Sequence, residues 1–174
     1  MSLRHALLGL LAERPGSGWD LLKGFESSLA FVWPATQSQL YTELGRMTDE
    51  GLIEVTATGA RNRKEYAITD AGRGELIRWI TEVEPERTRR NEALLRVFFL
   101  GNVEADEARA FLEREASVYR QFGELLQQVA ETTAWDDSEF DRFGRIALEN
   151  GLRVVAANEA WATWAVGQVD PGTG

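Results

Sequence analysis

Apolar positions fall into two rhythms in the first half of the chain, and the change between them outlines a domain. Leu3, Leu7, Leu10 and Leu11 lie at helical spacing and predict a first helix over residues 3–13. Pro15-Gly16-Ser17-Gly18 breaks it; Trp19, Leu22, Phe25 and Leu29 then share one face of a second helix over about 18–29. Trp33-Pro34 closes that segment, because the residue before proline is pushed out of the α region. Thr36 has the chemistry of an N-cap, and Gln39 three residues later completes a capping-box pattern. The third helix that starts there buries Leu40, Leu44 and Met47 and stops near Gly51. From here the period drops to two. Ile53, Val55 and Ala57 alternate with Glu54, Thr56 and Thr58, and Tyr66 and Ile68 point inward from a return strand. Thr69 caps a fourth helix over about 70–83, with Leu76, Ile77 and Ile80 as its buried face.

Beyond a charged, proline-containing stretch at 84–90 every pattern is helical. A short apolar helix at 94–100 ends at Gly101-Asn102, and a long one over about 104–131 carries Ala108, Phe111, Tyr119, Phe122, Leu126 and Val129. The last, about 138–166, has the cleanest repeat. Phe140, Phe143, Ala147, Asn150, Val154, Ala157, Trp161 and Trp164 follow steps of three and four, a heptad stripe. An intramolecular core on the preceding helix would produce such a stripe. A helix of this length outruns the small domain available to cover it, however, and Asn150 is the polar kind of residue that sets register between partner helices. The stripe therefore predicts a homodimer seam.

The expected fold is mainly α with a small β-hairpin: an N-terminal winged helix-turn-helix, residues 1–84, and a helical dimerisation domain, residues 92–168. Residues 85–91 form the linker and 169–174 a frayed tail. In such a fold the third helix can enter a major groove while the hairpin tip reaches flanking phosphates.

Charge qualifies that picture. The chain has 174 residues and a net charge of −9, which argues against a general polyanion binder. Residues 1–90 hold 12 Lys/Arg against 13 Asp/Glu, and residues 91–174 hold 7 against 15, so the halves carry −1 and −8. The acidity sits in the helical half, while cations cluster at Arg61/Arg63/Lys64 and Arg87/Arg89/Arg90. With no cysteine, disulfides and thiolate metal sites are excluded, in keeping with a cytoplasmic protein. The apolar runs, such as residues 6–12, are too short to span a bilayer, and Glu13-Arg14-Pro15 ends that run without a signal-peptide cleavage site.

Gln37, Ser38, Tyr41, Thr42 and Gly45 share the polar face of the third helix, where short side chains can meet base edges or phosphates. A plain solvated face would look the same; the basic hairpin behind it favours DNA. Arg61, Arg63 and Lys64 at the hairpin tip are candidates for phosphate contact, as are Arg4 and Lys23, although an edge hairpin also uses charge to block aggregation. Phe98, Phe99, Trp161 and Trp164 could line an aromatic ligand site, or simply a core. The sole histidine, His5, has no partners in a catalytic or metal-ligand pattern, and Gly16-Ser17-Gly18 lacks the lysine of a phosphate loop. No enzyme activity, cofactor or metal is expected. A protein-interaction module and a small-molecule carrier are the alternatives to a DNA-binding regulator.

Several segments, in order and with suitable spacing, resemble the PadR family of bacterial transcriptional regulators. They are Ala6-Leu7-Leu8-Gly9-Leu10-Leu11-Ala12, Gly18-Trp19-Asp20-Leu21, Gln39-Leu40-Tyr41-Thr42-Glu43-Leu44, Glu50-Gly51-Leu52-Ile53 and Tyr66-Ala67-Ile68-Thr69-Asp70-Ala71-Gly72. The likeness covers residues 3–83, and Leu94-Leu95-Arg96-Val97-Phe98-Phe99 resembles the opening of the longer C-terminal domain of part of that family. The resemblance implies a homodimeric repressor on a palindromic double-stranded operator, dimerised by its C-terminal helices and open to release by a small molecule such as a phenolic acid or a drug-like aromatic. Where the family often has tyrosine this chain has Trp19, whose indole keeps bulk and one donor but lacks the phenolic hydroxyl.

Overall fold

Side-chain caps, as much as apolar spacing, decide where the helices begin. The computed structural model of the chain describes residues 2–29, 32–58, 63–86 and 90–169, in two units, Met1–Glu86 and Arg87–Gly174. In the first, α1 (Ser2–Glu13) leads through a two-residue strand, β1 (Gly16–Ser17), into α2 (Gly18–Ser28). α3 (Gln37–Asp49), β2 (Ile53–Thr58), β3 (Lys64–Ile68) and α4 (Asp70–Glu82) follow. Ser17 with Asp20 starts α2 and Thr36 with Gln39 starts α3, each as a reciprocal capping box. Thr69 caps α4 by accepting the amide of Gly72. Just past the end of α3 the chain turns at Gly51, whose φ of 71° is the left-handed conformation that glycine adopts without steric cost.

The sheet is antiparallel in the order β1-β3-β2. β1 has no sequence signature, since two residues cannot show alternation; Gly16 and Ser17 pair with Tyr66 and Glu65. The β2–β3 register shifts between Val55 and Ala57, so Ala57 is exposed rather than inward as simple alternation predicts. Leu7, Leu8, Leu11, Leu22, Phe25, Leu40, Leu44, Met47, Ile53 and Tyr66 form the core of this unit.

α4 departs from the expected face. Leu76 packs partly on the core, but Ile77 and Ile80 are 61% and 64% exposed. The helix is rotated by two tertiary contacts. Trp79 stacks on His5 of α1 with ring centroids 4.5 Å apart, and Gly72 lies so near the Leu52 carbonyl that any Cβ there would collide with it. With 72, 76 and 79 turned inward, 77 and 80 project outward.

The second unit contains α5 (Glu92–Val97), a 3₁₀ turn (Leu100–Asn102), α6 (Ala105–Thr132) and α7 (Glu139–Val166). α6 and α7 pack antiparallel, as the Arg120–Glu159 ion pair at 2.9 Å and the Arg109 bond to the Val169 carbonyl show. The face that α7 turns to α6 runs through Gly144, Leu148, Gly151, Val155, Ala162 and Ala165. A Cβ on Gly151 would press Leu126 at 3.1 Å, and one on Gly144 would press Trp135 at 3.3 Å. This seam is also a heptad, displaced by one residue, about 100° around the helix, from the bulky stripe of Phe143, Ala147, Asn150, Val154, Ala157, Trp161 and Trp164.

Candidate nucleic-acid interface

α3 is fixed from one side. Leu40, Leu44 and Met47 are fully buried, and the opposite face leaves Gln37, Ser38, Tyr41, Thr42 and Gly45 exposed. Nothing lies within 4 Å of where a Gly45 Cβ would stand, so a partner backbone can approach closely there. Tyr41 is the member of this face with a neighbour. A Cβ on Gly18 would fall 2.5 Å from the Tyr41 ring, so the ring lies over the bare backbone at the start of α2.

Of the predicted cations, Lys64 opens β3 and is exposed. Arg63, just before it, is exposed too but paired, its Nη2 donating to Asp20 Oδ2 at 2.9 Å. Lys23 donates to Glu26 at 2.9 Å and lies 4.7 Å above the exposed Trp19 ring, a cation–π contact on the surface of α2. Arg61 lies outside the described residues, as do Arg87 and Arg89 of the predicted linker.

Arg4 is paired as well. Its Nε donates to Glu43 at 2.9 Å, and Nη1 and Nη2 fork onto Glu50 at 2.6 and 2.8 Å. The bidentate bond to Glu50 and the bond to Glu43 raise its pKa further above the usual guanidinium value. Arg4 thus staples α1 to the middle of α3 and to its cap at Glu50. Its single positive charge also offsets part of the negative charge of Glu43 and Glu50, which would otherwise repel a polyanion. A sequence separation of 39 and 46 residues hides both pairings.

His5 is buried between α1 and α4, its Nε2 3.0 Å from Glu75. Arg78 donates twice to Glu75, and with His5 it holds that carboxyl down at about 2. Among the described residues no cluster of His, Asp and Glu is arranged to hold a metal ion.

In the second unit Phe143, Val154 and Trp164 are exposed, Asn150, Ala147 and Ala157 lie on the same open face, and Phe140 and Trp161 are half-buried. Phe98 and Phe99 are exposed, Phe98 by 84%, and among the described residues no ring contact joins them to Trp161 or Trp164. Of the predicted ligand aromatics, Phe98, Phe99 and Trp164 are therefore surface groups within one chain, and Trp161 is half-buried.

A buried-faced helix beside a three-stranded wing, followed by long paired helices, is also what comparison with known proteins returns. Residues 7–78 match the model of the transcriptional regulator PadR-like family, and residues 89–170 match the virulence activator alpha C-terminal model. The chain thus carries a PadR-like transcriptional regulator domain followed by a virulence activator alpha C-terminal domain. It is 40% identical over 98 residues to the probable transcriptional regulator Rv1176c of Mycobacterium tuberculosis, a match covering 54% of this chain and 52% of that protein. To the negative transcriptional regulator PadR of Bacillus subtilis it is 36% identical over 110 residues, covering 61% of this chain and 60% of that protein. These matches span little more than half the length of the two curated relatives. Crystal structures of Bacillus subtilis PadR extend the likeness to nearly the whole chain. The complex with operator DNA superposes with a TM-score of 0.83 at 28% identity, covering 98% of this chain and 100% of that one. The complex with p-coumaric acid gives 0.84 at 28%, covering 98% and 99%. Among the described residues no helix is long and apolar enough to cross a membrane.

Proposed function

We propose that this protein is a homodimeric, sequence-specific DNA-binding transcriptional repressor of the cytoplasm, released from its operator by a small aromatic ligand. The observation that carries the reading is the open polar face of α3 next to the wing, on a fold that superposes over 98% of its length with a PadR bound to operator DNA. Repression rather than activation follows the negative regulator that shares 36% identity. Gln37, Ser38 and Thr42 read sequence because they are short exposed donors and acceptors on the open face of α3; Arg63 and Lys64, with Arg61, supply sequence-blind strength. Tyr41 braces this face over Gly18. The open stripe of α7 joins two copies, and a flat ligand stacks on the exposed C-terminal aromatics at that junction.

The test is selection of genomic fragments by the purified protein, followed by titration of the winner and an unselected duplex. A preference of at least tenfold is expected, and a planar phenolic acid should reduce it. Absence of any preference would overturn the reading in favour of a protein-interaction module.

A further inference from the structure

Arg63 and Asp20 are 43 residues apart in sequence, yet their meeting point is built. Pairing of Ser17 with Glu65 draws β3 across the start of α2. Asp20 Oδ2 there accepts the Ser17 amide at 2.9 Å and the Ser17 hydroxyl at 2.6 Å, and Arg63 Nη2 is the third donor to the same oxygen. The two Ser17 bonds pin the carboxylate and, ahead of Arg63, hold its pKa below the ordinary range. The partner guanidinium is not pinned in the same way; its side chain is 56% exposed. A carboxylate and a backbone phosphate offer the same acceptor geometry to an arginine fork.

We propose that Asp20 is a built-in competitor for phosphate. It holds Arg63 against the start of α2 in the free protein and must release or share it when the wing meets a duplex. This rests on the DNA-binding reading above. Its consequence is that the wing gains less on every duplex, whatever the sequence. Retention then depends more heavily on what α3 reads. In this role Asp20 is a positioning residue, acting on DNA only through Arg63.

The test removes the charge and keeps the cap. Gln39 serves α3 by accepting the Thr36 amide at 2.9 Å, so Asp20→Gln should serve Ser17 likewise; Asp20→Asn is a second variant. Wild type, both variants, Arg63→Gln and Asp20→Gln/Arg63→Gln are titrated onto a selected duplex and a random one across a salt series. Asp20→Gln should tighten both duplexes about two- to fivefold per engaged subunit, the scale of one exposed ion pair. The salt slope of log K should steepen by about 0.9 per phosphate newly met. The double variant should match Arg63→Gln alone. Variants that melt like wild type but bind equally or more weakly would overturn the competitor and make the pair a simple wing brace. A gain that survives in the Arg63→Gln background would also overturn it, as mere removal of a negative charge. If the wild type itself prefers no duplex, the functional reading fails rather than this pairing alone.

Discussion

α3 and α7 are both amphipathic helices anchored on one side by their own unit, and they differ in what is left over. α3 buries large aliphatic residues, Leu40, Leu44 and Met47, and exposes amides, hydroxyls and one glycine. α7 does the reverse. Its inward seam is dominated by small residues, including Gly144, Gly151, Ala162 and Ala165, while Phe143, Ile146, Val154 and Trp164 face outward. A helix that turns small residues to its neighbour lets the axes approach closely and keeps its bulk for another surface. The left-over chemistry names the partner. Amides and hydroxyls suit base edges and phosphates, whereas a row of large apolar side chains suits a second copy of the same row.

The largest effect should come from reversing the left-over face of α7. Val154→Glu with Trp164→Glu places four carboxylates in a twofold seam whose apolar burial is worth several kcal/mol at about 25 cal/mol per Å². Light scattering should show a monomer at micromolar concentration. Helical circular dichroism should persist, because the seam with α6 lies on the neighbouring stripe and is untouched. A dimer mass for the folded variant would move the junction to another surface.

The anchoring of the first unit can be tested by two glycines in one helix. Gly72→Ala drives a methyl into the Leu52 carbonyl, whereas nothing lies within 4 Å of a Cβ at Gly74. The first should cost about 3 kcal/mol. The second should be neutral or stabilising by up to about 1 kcal/mol, the helix propensity gained over glycine. Urea unfolding of both variants measures the difference. Equal midpoints would mean that α4 is free to slide, and that its close approach to Leu52 does not fix its rotation.

These glycines also mark what a sequence can and cannot reveal here. The starts of α3 and α4 were legible because Thr36-Gln39 and Thr69 act within one turn of themselves. The open face of α3 was legible because its opposite face carries a regular aliphatic stripe. The inward seam of α7 was not, since glycine and alanine give no hydrophobic signal and the bulkier stripe beside them dominates the pattern. Arg4 read as a free cation because Glu43 and Glu50 come to it only through folding, and Asp20 gave no sign of Arg63 for the same reason. The burial expected of Ile77 and Ile80 failed because His5 and Gly72, not local periodicity, set the angle of α4.

Within the DNA-facing surface, α3 and the wing should separate by kind of effect. Thr42→Ala or Gln37→Ala should lower affinity for the selected duplex by about 1–2 kcal/mol and leave the random one nearly unchanged. Lys64→Ala should weaken both alike and flatten the salt slope of log K by about 0.9 per subunit. Identical behaviour of the two classes would collapse the division of labour between helix and wing.

The smallest effect concerns the buried brace between α1 and α4, and its sign follows from Glu75. The Arg78 and His5 bonds hold this carboxyl at about 2 against an ordinary value of 4.5. A depressed carboxyl contributes stability that is fully present above the ordinary value and is lost as pH falls through the folded one. The window therefore runs from about 4.5 down to about 2. Solvent reaches this site, so the contribution is on the order of 1 kcal/mol rather than the full linkage value. Glu75→Gln should be less stable than wild type at neutral pH by that amount and should lose less on acidification, so the two stability curves converge only as pH approaches about 2. Amide exchange of α1 and α4 in the intact chain reads this locally, beside α6 and α7 as an internal reference. Parallel curves across the acid range would show that the His5–Glu75–Arg78 cluster holds α4 by packing against Trp79 and not by charge.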